Sequence, residues 1–145
     1  MIYEVEKLRR QQLIDLKNSM GGAYGIIERF KRGGIGSPFM FYDSGWEEAD
    51  RLNNLVDEPI RMNIEKLKNG FFFRLAERTR TYIVPVLKKD ILKIVLTKNV
   101  PERTCLLTFH FNEIPSLNTW FNLNRYHEFS DYLKNTHFHQ NYTGE

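Results

Sequence analysis

The stretch IRMNIEKLKNGFFFRL, residues 60–75, decides how this chain folds. Ile60, Met62 and Ile64 alternate with Arg61, Asn63 and Glu65, so an extended strand here has one apolar side and one polar side. A period of two puts successive side chains on opposite faces of a sheet, the pattern of a half-buried strand. Asn69-Gly70 follows as a two-residue hairpin signal, because both residue types tolerate positive φ. The return strand runs from Phe71 to Ala76, with Phe71, Phe73 and Leu75 on one face. The expectation is an antiparallel hairpin.

Toward the C-terminus the alternation recurs. Glu77-Arg78-Thr79-Arg80 is a polar turn, and Tyr82, Val84 and Val86 then share a face, with Pro85 marking an edge position or a strand end. Leu92, Ile94 and Leu96 form another strand after Lys88-Lys89-Asp90. A loop around Asn99-Val100-Pro101 leads to Cys105–Phe111, where Leu107, Phe109 and Phe111 face one way, and residues 117–123 add a short strand. Asn124 is placed to cap a helix carrying Tyr126, Phe129 and Leu133. Residues 136–145 read as a polar, frayed tail.

Toward the N-terminus, Ile2, Val5, Leu8, Leu13 and Leu16 predict an amphipathic helix over 2–19, stopped by Gly21 and Gly22. Residues 21–36 hold six of the nine glycines. Strands are expected over Tyr24–Phe30 and Phe39–Tyr42, and Ser44-Gly45-Trp46-Glu47 has the spacing of a capping box before a short helix from Trp46 to about Asn54. Short strands must curl, pair or be covered to hide their edges. The fold class is therefore α+β: a strongly bent antiparallel sheet or partly open barrel, a C-terminal capping helix and an N-terminal helical addition. One domain spans 1–145, with 1–57 as the addition, 58–135 as sheet plus helix and 136–145 as the tail. A helix packed on a curved sheet around a cone-shaped cavity is the rival architecture.

Composition bounds the function classes. Of 145 residues, 41% are hydrophobic and 27% charged, the range of a soluble globular domain. No apolar run approaches the roughly 18 residues needed to span a bilayer, and charges at positions 4, 6, 7, 9 and 10 leave no apolar signal-peptide core. The single Cys105 excludes an intramolecular disulfide, and the expected location is cytoplasmic. The net charge of +3 is unevenly spread, since residues 57–103 hold 11 basic against 6 acidic side chains, a surplus of +5. Any pull on an acidic partner comes from that third.

Four pieces of the chain resemble the pleckstrin-homology-like superfold, in particular bacterial PH-like and GRAM-like domains, over residues 60–135. They are residues 60–75, the Thr81–Val86 strand leading into Asp90–Leu96, the late strand Leu106–Phe111, and the helix Tyr126–Lys134. The resemblance implies that the terminal helix plugs one end of a barrel. It also implies a cationic site, because phosphoinositide-binding members place Lys and Arg on their first strands around an inositol phosphate. Here Lys66, Lys68, Arg74, Arg78 and Arg80 are the candidates, since converging cations can neutralise a multiply charged headgroup.

Other constellations favour plainer readings. The segment GGAYGIIERFKRGGIG, residues 21–36, lacks both the Gly-x-x-x-x-Gly-Lys-Ser/Thr and the Gly-x-Gly-x-x-Gly pattern, so its glycines ease turns. His137 and His139 are surface histidines of the tail, and His110 faces outward from the sheet. Asp43, Glu47, Glu48 and Asp50 form a solvated run at a helix start. No catalytic motif, metal site or cofactor is indicated, and the spacing of Phe71, Phe73, Phe109 and Phe111 suits a core rather than nucleic-acid stacking. The expected function is a non-enzymatic interaction module that binds a protein partner or an anionic lipid headgroup through the 66–80 hairpins. A small-ligand carrier or enzyme with a cavity inside the bent sheet is the alternative. A homodimer through an unpaired strand near Pro38–Tyr42 is a further expectation.

Overall fold

Alternating stretches become strands because their apolar side is buried only by turning it toward a shared interior. The computed structural model describes residues 2–23, 36–134 and the backbone of 142–144. Among them, one sheet holds β1 (Tyr3–Glu4), β2 (Met40–Ser44), β3 (Arg61–Lys66), β4 (Gly70–Glu77), β5 (Arg80–Leu87), β6 (Ile91–Asn99), β7 (Thr104–Phe111), β8 (Leu117–Asn122) and β9 (Tyr142–Gly144). Helices α1 (Arg10–Ser19), α2 (Glu47–Leu55) and α3 (Tyr126–Lys134) accompany it.

The strand order is β1-β5-β4-β3-β2-β8-β7-β6-β9. Two hairpin-connected meanders, β3–β4–β5 and β6–β7–β8, are joined through β2, and every neighbouring pair is antiparallel except β6 with β9. The order is open, with β1 and β9 at its ends. It is nonetheless sharply bent. Phe73 of β4 meets Phe109 and Phe111 of β7 with ring centroids 5.2 and 5.7 Å apart, although three strands separate β4 from β7 in the order. A register shift between Tyr42 and Ser44 in β2 lies where the two meanders join, and bulges of this kind bend a strand.

Both faces of β4 are covered, which is why Phe71, Phe72 and Phe73 can follow one another. Phe71, Phe73 and Leu75 enter the main core with Tyr82, Val84, Leu107 and Phe109. Phe72 points the other way into a second cluster with Met20, Leu67 and Ile83, packed by Leu13 and Leu16 of α1. Within the N-terminal addition, α1 is thus a layer on the sheet's outer face, whereas β2 lies inside the sheet and α2 packs on the main core through Trp46 and Ala49. α3 closes the main core with Leu133 and Phe129, the latter stacked 3.8 Å from Phe121.

Several expectations need correction. The chain from 2 to 8 is not α-helical: Tyr3–Glu4 pairs with the free edge of β5, and Val5–Lys7 is one 3-10 turn. The apolar spacing is compatible with both, and the edge offers backbone hydrogen bonds that a helix would forgo. α1 starts afresh at Arg9, whose N–H donates to Gln12 Oε1 at 2.8 Å. The hairpin signal is displaced by one residue. Gly70 opens β4, Leu67 N–H donates to the Gly70 carbonyl, and Lys68-Asn69 forms the turn. Glycine is needed at 70 for space, since a Cβ there would lie 2.7 Å from both Met20 Sδ and the Val86 oxygen.

Leu92 is exposed rather than inward, because a register shift between Ile91 and Lys93 hands its place to Ile91. The Ser44–Glu47 capping box is absent. Trp46 holds the N-cap position of α2, while Ser44 ends β2, donates to Asp43 and accepts from Asn118. Asn124 lies in a 3-10 turn, Leu123–Arg125, that runs directly into α3. Tyr142–Gly144 is not frayed but pairs with β6. The Pro38–Tyr42 region offers no free edge for a dimer either, as β2 lies inside the sheet between β3 and β8. The strand expected over Tyr24–Phe30, and His137 and His139, lie outside the described residues.

Candidate interaction surface

One corner of the molecule is stitched together by three backbone hydrogen bonds. Lys68 N–H donates to Gly22, Asn69 N–H to Met20 and Lys88 N–H to Asn69, at 3.0, 2.7 and 3.0 Å. The end of α1, the β3–β4 turn and the 3-10 turn Lys88–Asp90 therefore share one rim. Gly21 makes this possible. It sits at φ +84°, and a Cβ there would come within 2.6 Å of the Asn69 side chain. Lys68, Lys88 and Lys89 are all exposed on this rim, which brings cations of the basic third together from separate elements. Lys88 and Lys89 were not among the residues expected at the site. The charge count over 57–103 contained them, but only the fold of β5 back toward the β3–β4 turn sets them beside Lys68.

The other expected site residues are dispersed. Lys66 is 2% exposed, so its aliphatic stem and ammonium belong to the interior. Arg74 faces α1 and lies 2.7 Å from Glu65, which also takes Lys17 at 3.4 Å. Arg78 occupies the β4–β5 turn at φ 47°, and Arg80 lies 3.7 Å from Glu4. The eight-residue β4 separates the Lys68 end from the Arg78–Arg80 end, a distance of roughly 25 Å at ~3.3 Å per residue. A single small headgroup cannot touch both.

A second ordered corner surrounds the start of α2. Tyr42 is buried, and its hydroxyl lies 2.5 Å from Asp50 Oδ1 while accepting the Trp46 N–H at 2.9 Å. Asp50 also accepts the Gly45 N–H at 3.2 Å, and Trp46 Nε1 donates to Pro115 at 3.0 Å. Burial, then the hydrogen bond to Asp50, pushes the Tyr42 phenol well above its ordinary value. The carboxylate at 50 is therefore not part of a solvated run but anchors the helix to β2. With its proton held in this way, the phenol is a structural donor rather than an acid for chemistry.

Among the described residues, the other candidate groups do not converge on a reacting centre. Cys105 is fully buried, and burial pushes its thiol up, the opposite of what a nucleophile needs. His110 is half-buried on the outer face of β7, its Nδ1 2.9 Å from Ser116 Oγ. Among the described residues no group of three His, Cys, Asp or Glu is placed to hold a metal, and no helix is long and apolar enough to cross a membrane. Compared with known proteins, the chain matches no family model and no curated sequence.

Proposed function

We propose that this chain is a non-enzymatic interaction module built on a pleckstrin-homology-like sheet. Its cationic corner at Lys68, Lys88 and Lys89 would dock an acidic partner, either a protein surface or an anionic headgroup. The observation that carries this reading is the filled interior. Phe71, Phe73, Tyr82, Val84 and Phe109 are each 8% exposed or less and occupy the space that a carrier or enzyme would keep open. The strand order supports the architectural part, with β2 to β5 in sequence on one side, β6 to β8 on the other, and α3 closing the core.

Function then lies on the surface, where the fold sets three exposed lysines from two turns on one rim. The test titrates the wild-type chain and the triple charge reversal K68E/K88E/K89E with two probes: vesicles containing anionic phospholipid, and soluble poly-glutamate. The wild type is expected to bind at least one probe and the triple variant neither, at an unchanged melting temperature. Vesicle binding alone assigns a headgroup, and poly-glutamate binding assigns an acidic protein surface. A wild type that binds neither at low salt contradicts the reading.

A further inference from the structure

Asn69-Gly70 is the chain's only Asn-Gly step, and it sits in the turn at the lysine corner. The backbone nitrogen after an asparagine can attack that asparagine's own side-chain amide, because the attack closes a small, unstrained ring. Glycine in the second position removes the Cβ that would crowd this approach.

The fold leaves the step open. Asn69 is exposed, so water reaches its amide and ammonia can leave. The Gly70 carbonyl accepts from Leu67 N–H at 2.8 Å, yet the Gly70 N–H makes no return bond to the Leu67 carbonyl. The N–H and C=O of a strand residue point to the same side, so β5 does not take that N–H either. The carbonyl of the same peptide group, that of Asn69, accepts Lys88 N–H at 3.0 Å. This bond draws electron density from the Asn69–Gly70 amide and makes its N–H more acidic. Lys68 precedes the pair and Lys88 abuts it, and their positive charge favours the anion left when the proton departs. Asn69 Cγ lies 2.7 Å from where a Cβ on Gly21 would stand, so the bare glycine leaves room beside the carbon under attack.

We propose that Asn69 is a self-modifying site, deamidated without an enzyme, and that its conversion switches off the lysine corner. Gly70 N gives up its proton and bonds to Asn69 Cγ. The Cγ–Nδ2 bond breaks as Nδ2 takes up a proton and departs as ammonia. Water then opens the cyclic imide at either carbonyl, leaving aspartate or isoaspartate with no change of oxidation state. Either product adds a carboxylate among Lys68, Lys88 and Lys89. Isoaspartate also inserts a methylene between the N–H that bonds Met20 and the carbonyl that accepts from Lys88. The loss of docking rests on the function proposed above; the modification itself does not.

The test incubates the full chain in mildly alkaline buffer, native and in guanidinium chloride, and follows residue 69 by peptide mass mapping. Conversion is expected at Asn69 and not at Asn99 or Asn118, at least as fast in the native chain as in the denatured one. Slower native conversion, or none, overturns the proposal. Binding is then measured with poly-glutamate and with anionic vesicles. Aged wild type and N69D should bind several-fold more weakly than fresh wild type, and N69Q should neither convert nor lose binding. Undiminished binding by aged protein and N69D overturns the switch. Fresh wild type that binds neither probe removes the docking reading and the switch with it, while the mass map separately decides the modification.

Discussion

Arg74 Nη2 lies 2.7 Å from Glu65 Oε1, a diagonal contact between β4 and β3 on the face that α1 covers. Both side chains are largely shielded, at 24% and 16% exposure, and Lys17 of α1 completes the group. Arg74 is therefore committed to holding the N-terminal layer on the sheet. Arg74→Gln should lower stability by about 1 kcal/mol, the scale of a partly shielded ion pair with hydrogen bonding. Urea denaturation checks this, and binding to an acidic probe should stay at the wild-type level.

Gly45 has φ +122°, and a Cβ there would lie 1.9 Å from the Ser116 carbonyl oxygen. Gly45→Ala should cost on the order of 3 kcal/mol or more, because backbone must move to admit one methyl group. Gly36 has open space around it, and Gly36→Ala should stay within about 0.5 kcal/mol of wild type. Paired urea midpoints of the two variants separate a steric requirement from a general cost of replacing glycine.

The buried Tyr42 hydroxyl gives a pH dependence. Its folded-state value is raised above the ordinary 10.0, and burial raises Tyr132 in the same way. An acid whose folded value is raised contributes stability that is complete below the unfolded value and is lost as pH rises past it. Stability should therefore hold up to about pH 10 and fall above it, as phenols ionise in the unfolded chain. Tyr42→Phe should cost about 1–2 kcal/mol at neutral pH, by stripping Asp50 and the Trp46 amide of a partner. It should also make the alkaline decline shallower. Melting temperatures recorded between pH 7 and 11 test both statements.

Cys105 makes a chemical prediction. With no exposure and a thiol pushed up by burial, it should resist a maleimide reagent in the native chain and react only in denaturant. Mass spectrometry after a timed exposure decides it. Rapid native labelling would mean that β7 opens far more readily than its packing indicates.

Most strands from 61 to 122 were legible in the sequence because one face is buried and the other more open, and a period of two survives wherever that holds. Legibility failed where a tertiary neighbour set the outcome. Leu92 satisfies the period but loses its place to a bulge. Tyr3 and Glu4 become a strand only because β5 leaves an edge open. Phe72 breaks the alternation because α1 covers the second face. At the candidate surface, Lys68 was legible as a turn residue. Its grouping with Lys88 and Lys89 depends on the bend that returns β5 to the hairpin, which no local pattern encodes. Arg74 and Lys66 carry charge in the right part of the sequence, yet one is held by Glu65 and the other is buried.

Docking on the Lys68 corner, outside a filled sheet, is the proposed mode of action, and amide shift mapping with inositol hexakisphosphate as a soluble polyanion probes it residue by residue. Saturable shifts are expected at Lys68–Gly70 and Lys88–Asp90, with the core amides of Phe73 and Phe109 unmoved. Shifts centred on the core strands, or on the Arg78–Arg80 turn alone, would contradict it.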